Sequence, residues 1–507
     1  MLVLALLPAI AQAVQPVVRD YSDPSEGPSQ FRLAYNGPDG MTVSWNTPNK
    51  VDGPTVYYGT DPRYLNLTSG PGTSSTFDSS VNWDNHVEIS GLQPFTKYYY
   101  RVGGQNTSLS ASSSDYYFTT ARPAGDHTPF TIAAIADMGI VVGDALSKMI
   151  PPTFGALLDN REEYEFLWHN GDFGYADDWL WEELTLVYKW SNGVEAYNNI
   201  MNAYFDELSD VTRNTPYMAG AGNHEADCIE PGVLEIGPVD LSICPDGQRN
   251  FTYYRNHFRM PTRGQNSDKF FQNMWYSWDY GMVHFVEIST ETDQGEGVTA
   301  PDETNNGIGL DSGPFGYPNQ QLQWLEEDLA AVDRKKTPWI IVGGHRPWYV
   351  ADSSSLCQTC QDAFEEILYK HNVDLVITGH AHYYERDHPV YKGQIDPNHL
   401  NNPRAPLYIV NGAAGNFEGH TTVSKWPDYT ATLNQDQYGW SKLVFHNATH
   451  LEHQFISSET GNVVDQAFLY KDHGTNSTVS NSTASTSNTT SPIANPTTLS
   501  TNLTALM

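Results

Sequence analysis

Five apolar runs in the middle of this chain each stop at a polar residue, and that repeated stop constrains the fold more than any other feature. FTIAAIAD ends at Asp137 and YEFLWHNGD at Asp172. TPYMAGAGNHE carries Asn223 and His224, PWIIVGGH ends at His345, and VDLVITGHAH ends in His380 and His382. Together with MVHFVEIS, these runs have the length and Val/Ile content of buried strands. Helical stretches lie between them; in NQQLQWLEEDLAAV, Leu322, Leu325 and Leu329 recur at helical spacing. Strands alternating with helices predict an α/β domain, and ligands of open α/β sheets bind beyond the carboxyl ends of the strands. Strand ends gather at one edge of a parallel sheet, so these polar side chains are expected to converge.

Each stop has an ordinary explanation by itself. Asp137 suits a helix cap, Asn223 a turn, His345 a satisfied core histidine, and His-x-His occurs in strands by chance. Gly-Asp-Phe-Gly, around Asp172, is turn chemistry. Five such endings on successive strands are not explained that way. Asp, Asn, His and a phenolate are donors to Fe, Zn or Mn, with no thiolate among them. Two ions about 3.5–4 Å apart need a bridging carboxylate, and Asp172 lies mid-series. Tyr175, three residues on, suits a hard trivalent ion and points to Fe³⁺.

Upstream, from about Ser29 to Thr120, the texture differs. FRLAY, MTVSW, TVYYG, HVEIS, KYYYRV and YYFTT alternate between turn residues and predict a small antiparallel sandwich, placed at 20–122. MTVSW and ISGLQPFTKYYYRV resemble a fibronectin type III domain. The chain carries 60 acidic against 27 basic residues, a formal charge of −33. That balance excludes nucleic acid as a partner and means an anionic substrate needs strong local positive charge.

The first thirteen residues, an apolar run closing in Ala-Gln-Ala, have the form of a secretory signal (1–13); no other segment reaches the length of a membrane span. Asn66, Asn106, Asn250, Asn447, Asn476, Asn481, Asn488 and Asn502 each begin an Asn-x-Ser/Thr sequon, a density that fits a secreted glycoprotein. In an oxidising compartment the four cysteines read as two local disulfides, Cys228 with Cys244 and Cys357 with Cys360. The last stretch, 473–507, is Ser, Thr and Asn with almost no aromatics and is expected to be a disordered, glycosylated tail.

The order D, GDxxY, GNH, VxxH, GHxH resembles the purple acid phosphatases, within the wider metallophosphoesterase fold of two sheets flanked by helices. The resemblance runs from about Phe130 to Asp472, with a catalytic domain at 128–405 and its C-terminal part at 406–472. It implies that Asp137, Tyr175 and His382 hold Fe(III), that Asp172 bridges, and that Asn223, His345 and His380 hold a divalent metal, Zn, Fe or Mn. His224 would face the substrate phosphate, as the catalytic group that grips it or protonates the leaving alkoxide. The implied activity is that of a secreted acid phosphatase (EC 3.1.3.2) acting on small phosphate monoesters, phytate among the candidates. An acidic optimum, on the order of pH 4 to 6, follows if His224 acts protonated. Oligomeric state is not implied.

One departure stands out. Plant members carry further histidines about ten residues after VxxH, whereas RPWYVADSSSLCQTC here has none; the next is His371, in a helical run. His388 is a candidate substitute, although a structural role suits it better. His169 suits support or packing, and Trp348, Tyr349 and Tyr383 are pocket or packing candidates. His420, after the glycine-rich NGAAGN, is a further candidate near the site. Alternatives are a phosphodiesterase or nucleotide pyrophosphatase on the same fold, whose substrate choice would lie in loops such as Asp227–Asn250 and Glu291–Tyr317. An adhesion protein with a dead phosphatase domain is disfavoured, because every ligand position is intact.

Overall fold

A computed structural model describes residues 23, 26–104, 116–142, 148–179, 193–229, 244–261, 273–295 and 317–473. The signal segment, the tail after His473, the sequons at Asn106, Asn476, Asn481, Asn488 and Asn502, and the loop stretches 230–243 and 296–316 lie outside them.

The N-terminal part is a sandwich of two four-stranded sheets. One orders β1 (Ser29–Tyr35), β2 (Met41–Thr47), β6 (Trp83–Ile89) and β5 (Thr73–Ser75). The other orders β4 (Leu67–Thr68), β3 (Thr55–Gly59), β7 (Lys97–Gly103) and β8 (Tyr117–Thr119). All pairings are antiparallel. The alternation in β7 is directly visible, with Tyr98, Tyr100 and Val102 buried. β4 and β5 were not expected from the sequence. They are short and largely exposed, so no buried face marks them.

The catalytic part faces two sheets against each other. The six-stranded sheet orders β13 (Tyr217–Gly220), β12 (Leu167–Asn170), β9 (Phe130–Ile135), β23 (Gly439–Asn447), β24 (His450–Ser457) and β25 (Val463–Tyr470). The seven-stranded sheet orders β14 (Tyr276–Tyr280), β15 (Val283–Glu287), β16 (Trp339–Gly343), β17 (Leu375–Thr378), β21 (Leu407–Asn411), β18 (Tyr384–Asp387) and β22 (Thr430–Asn434). Two-residue pairs complete the strands: β10 (Val141–Val142) with β11 (Lys148–Met149), and β19 (Val390–Tyr391) with β20 (Gln394–Ile395). Within the sheets β9, β12 and β13 run parallel, as do β15, β16, β17 and β21. Two sheets are what the resemblance implies, and the simpler expectation of one sheet edge is corrected. The polar endings come from two parallel sets in two sheets, packed through Trp168, Trp278, Phe285 and Phe445.

Helices α1 (Pro152–Asp159), α2 (Gly193–Thr212), α3 (Thr252–His257), α4 (Gln320–Ala331) and α5 (Gln358–Lys370) cover the sheets. In α4, Leu325 and Leu329 are buried and Leu322 packs at the margin, as the spacing predicts. Among the described residues no helix is long and apolar enough to cross a membrane. Cys228–Cys244 and Cys357–Cys360 are disulfide-bonded, with Cα atoms 5.7 and 5.2 Å apart.

Sandwich and catalytic part meet through a buried polar network around Arg32. Its Nε donates to the His257 carbonyl at 2.7 Å, NH1 to the Gln30 carbonyl and Asn46 Oδ1 at 2.7 Å each, and NH2 to Asp84 Oδ1 at 3.0 Å. Asp84 also faces His257 Nδ1 at 3.1 Å. Asn82 and Gln30 reach Asn202 on α2.

Candidate metal centre

The loops after β9, β12, β13, β16 and β17 bring the polar endings to one place. Four of the residues concerned adopt left-handed backbone without being glycine: Asp137 (φ 61°), Asp172 (φ 58°), Tyr175 (φ 55°) and His380 (φ 69°). Such conformations are disfavoured for residues with a Cβ and persist only where the surroundings impose them, typically at functional sites. Glycines at the strand ends leave room for the carboxylates. A Cβ on Gly222 would lie 2.1 Å from Asp172 Oδ1, and one on Gly379 would lie 2.3 Å from Asp137 Oδ2. This is the physical reason for Gly in GNH and GHAH.

Around Tyr175 Oη sit Asp137 Oδ1 at 3.1 Å, Asp172 Oδ2 at 3.3 Å and His382 Nε2 at 3.0 Å. A phenol has one hydrogen, so the two carboxylates cannot both be served. On the other side of Asp172, His345 Nε2 lies 3.0 Å from Asp172 Oδ2 and 3.0 Å from Asn223 Oδ1. His345 Nδ1 faces the Asn170 carbonyl at 2.9 Å, which aims Nε2 at the cluster. Ligating atoms of Asp172, His345 and His380 all lie within 4.8 Å of one another. Asp137 accepts the His380 backbone N–H, joining the two halves.

The titration of these groups states the same requirement. Burial, then the carboxylates of Asp137 and Asp172, push the Tyr175 phenol well above its ordinary range. Burial pulls the His345 imidazole down, but the Asp172 carboxylate outweighs it and holds the group up at about 10. Burial alone would raise Asp172; His345 and His224 outweigh it and hold the carboxyl well below its usual range. The cluster thus draws positive charge to the point where Asp172, His345 and Asn223 meet. Oxygen and imidazole groups gathered at one point fit hard or borderline metal ions.

His224 lies beside this set. Its ring lies tilted against Tyr175 with centroids 4.0 Å apart, its backbone N–H donates to Asp172 Oδ1, and Nδ1 faces Asp177 at 3.0 and 3.1 Å. Asp177 was not singled out from the sequence, although it follows Tyr175 by two residues. Three others were also missed. Glu225 accepts the N–H groups of Asp172, Phe173 and Gly222 at 2.8–2.9 Å. Glu418 faces His382 Nδ1 at 3.4 Å, and Asn416 Nδ2 donates to Tyr175 Oη at 3.2 Å. The acid in GNHE was a readable signal for Glu225; for the others the signal is tertiary.

The remaining candidates divide. His420 does reach the site: its Nδ1 lies 3.2 Å from the His382 carbonyl, with the ring stacked on Tyr438. His169 is a packing residue, against Phe173 and Tyr217, and burial drives its imidazole down to about 3. His388 pairs with His399, and His371 with Glu326; neither joins the cluster. Trp348 and Tyr349 belong to the core under α5, packed against Tyr408. Tyr383 is buried with its hydroxyl accepting the Asp352 N–H. A pocket-lining role for these three is set aside.

Two facing sheets with such a cluster at their parallel strand ends define a metal-dependent hydrolase. The chain matches the family "Purple acid Phosphatase, N-terminal domain" over residues 28–120 and "Calcineurin-like phosphoesterase" over 130–384. It matches "Iron/zinc purple acid phosphatase-like protein C" over 405–466. It is 38% identical to acid phosphatase A of Cryphonectria parasitica, covering 92% of this chain and 95% of that protein. Identity to an acid phosphatase of Aspergillus ficuum is 32%, covering 90% and 88%. A purple acid phosphatase from yellow lupin (Lupinus luteus) seeds shares the fold with a TM-score of 0.69 at 22% identity, over 88% of this chain and 75% of that one. The chain belongs to the purple acid phosphatases. By that membership it is an acid phosphatase, a hydrolase of phosphate monoesters, with iron and a second divalent metal as cofactors.

Proposed function

We propose that the seven converging residues are the two-metal ligand set of a secreted phosphomonoesterase. Asp137, Tyr175 and His382 take Fe(III), Asn223, His345 and His380 take the divalent ion, and Asp172 lies between both. The observation that carries this reading is the crowding of oxygens: Tyr175 Oη offers one hydrogen to two carboxylates, Asp137 and Asp172, with His382 Nε2 beside them. When bound, the ions supply Lewis-acid charge for the phosphoryl oxygens and an activated water nucleophile.

The chain's own groups do the rest. Asp177, held at His224 Nδ1, leaves Nε2 as the atom that donates to the phosphate or protonates the leaving alkoxide. Glu225 fixes the turn that presents Asp172 by accepting three backbone N–H groups, and burial with the Asp172 charge holds its carboxyl up at about 8. Asn416 donates to the Tyr175 oxygen and so favours its phenolate form. Export is supported by the apolar first thirteen residues, the two disulfides and the exposed sequon residues Asn66 and Asn447. Asn250 is half-buried and is the weaker acceptor of the three described. The phosphate esters served include phytate in this reading.

The test is a visible absorption spectrum with metal analysis on the same sample. A purple band that vanishes in Tyr175→Phe, with about two metals per chain, is expected. A colourless, iron-free active enzyme would remove the assignment of Tyr175 to iron. Relative rates on a monoester and a diester separate the monoesterase from a phosphodiesterase.

A further inference from the structure

The loop after His345 lacks the histidines that the resemblance implies, but it begins with an arginine. The Arg346 side chain is only 6% exposed and sits at the cluster. Its Nε donates to Glu291 Oε2 at 2.8 Å, and its NH1 faces His380 Nε2 at 3.3 Å. Glu291 is itself fixed, since its other oxygen accepts the Thr290 hydroxyl at 2.9 Å. Thr290 Oγ1 in turn accepts the backbone N–H groups of His345 and Arg346 at 3.2 and 2.9 Å. One buried acid and one threonine therefore lock the guanidinium plane beside the part-exposed His380.

We propose that Arg346 is the residue that binds the substrate's terminal phosphate and selects monoesters over diesters. The proposal rests on the phosphatase reading above. A guanidinium stays charged at every working pH and meets phosphate oxygens through paired donors. NH1 stands 3.3 Å from His380 Nε2, so a phosphate held at that imidazole would lie beside the guanidinium. A monoester presents three non-bridging oxygens and up to two negative charges, whereas a diester presents two oxygens and one charge. Loss of the guanidinium therefore falls mainly on the monoester.

The test compares wild type with Arg346→Met and Arg346→Gln, all loaded with iron and the second metal. Metal content, calorimetric affinity for inorganic phosphate, and kcat/KM for an aryl phosphate monoester and the matching diester are measured. Two metals per chain are expected throughout. Phosphate affinity and monoester kcat/KM should fall about 10- to 100-fold, while diester kcat/KM changes less than about threefold. Phosphate affinity within threefold of wild type, or an equal fall on both substrates, overturns the proposal. If the methionine variant loses metal, the glutamine variant is judged by the same values; loss of metal from both assigns Arg346 a structural role and also overturns it. A wild type without metals or monoester turnover would instead break the phosphatase reading itself.

Discussion

The molecule holds two buried polar clusters of similar make-up and opposite character. Around Arg32, where the sandwich meets the catalytic part, the hydrogen bonds run from donors to acceptors, and one guanidinium faces one carboxylate. Around Asp172, hydrogens are fewer than the oxygens they face: Tyr175 has one for Asp137 and Asp172, and His345 Nε2 has one for Asp172 and Asn223. A closed network of the first kind binds two parts of a chain together. A network of the second kind leaves oxygens over for cations, and its four left-handed residues are held by the scaffold. Burial and polarity do not separate structure from function here; the balance of donors and acceptors does.

The largest effect expected from this contrast is on Asp172. Asp172→Asn keeps the shape but removes the charge shared by both halves. Monoester turnover should fall about 10³-fold or more with loss of metal. An enzyme that keeps two metals and most of its rate would break the contrast. Arg32→Met should do the reverse. Leaving Asp84 buried without its partner costs about 3–5 kcal/mol in denaturant unfolding, with metal content and turnover per folded molecule unchanged. A change in metal affinity in that variant would show the two clusters to be coupled.

A third polar group, at the protein's margin, sharpens the first kind of network. His284 lies 2.7 Å from Asp279 and 2.8 Å from Asp328 on α4. Burial pulls the imidazole down, but the two carboxylates outweigh it and hold it up at about 9. With the folded value above the ordinary 6.5, this stabilisation is full below pH 6.5 and is lost as pH rises through 9. It amounts to at most about 3 kcal/mol, reduced by screening because Asp279 is exposed. Urea midpoints of wild type and His284→Gln should therefore differ at pH 6 and converge by pH 10; a gap that stays constant would show that packing rather than charge is lost.

The smallest effect concerns support of the site. Asp177→Asn removes the charge behind His224 Nδ1 and should lower kcat about tenfold with both metals still bound. An unchanged kcat would show that His224 is oriented without Asp177, by its packing against Tyr175.

Legibility from sequence follows the range of the interactions. The sandwich strands with a buried face, such as Lys97–Gly103, could be read from period-two alternation; exposed β4 and β5 could not. The seven ligand candidates were readable because each ends a buried strand and carries a metal-binding donor. Asp177, Glu418, Asn416 and Arg346 were not readable as site residues, since each earns its place through a partner on another element. The aromatics after His345 misled in the other direction: Trp348 and Tyr349 follow a ligand in sequence but turn into the core beneath α5.

The sequence by itself determined the local things: where buried strands stop, which donors stand at those stops, and where Gly must precede a ligand. Those depend on side-chain period, donor chemistry and backbone sterics, which neighbours in the chain settle among themselves. Only the tertiary structure decided which stop belongs to which sheet, how closely their side chains meet, and that Arg346, Asp177 and Glu418 stand behind them. Such placements depend on distances of a few ångströms between residues far apart in the chain, and packing of the two sheets sets those distances.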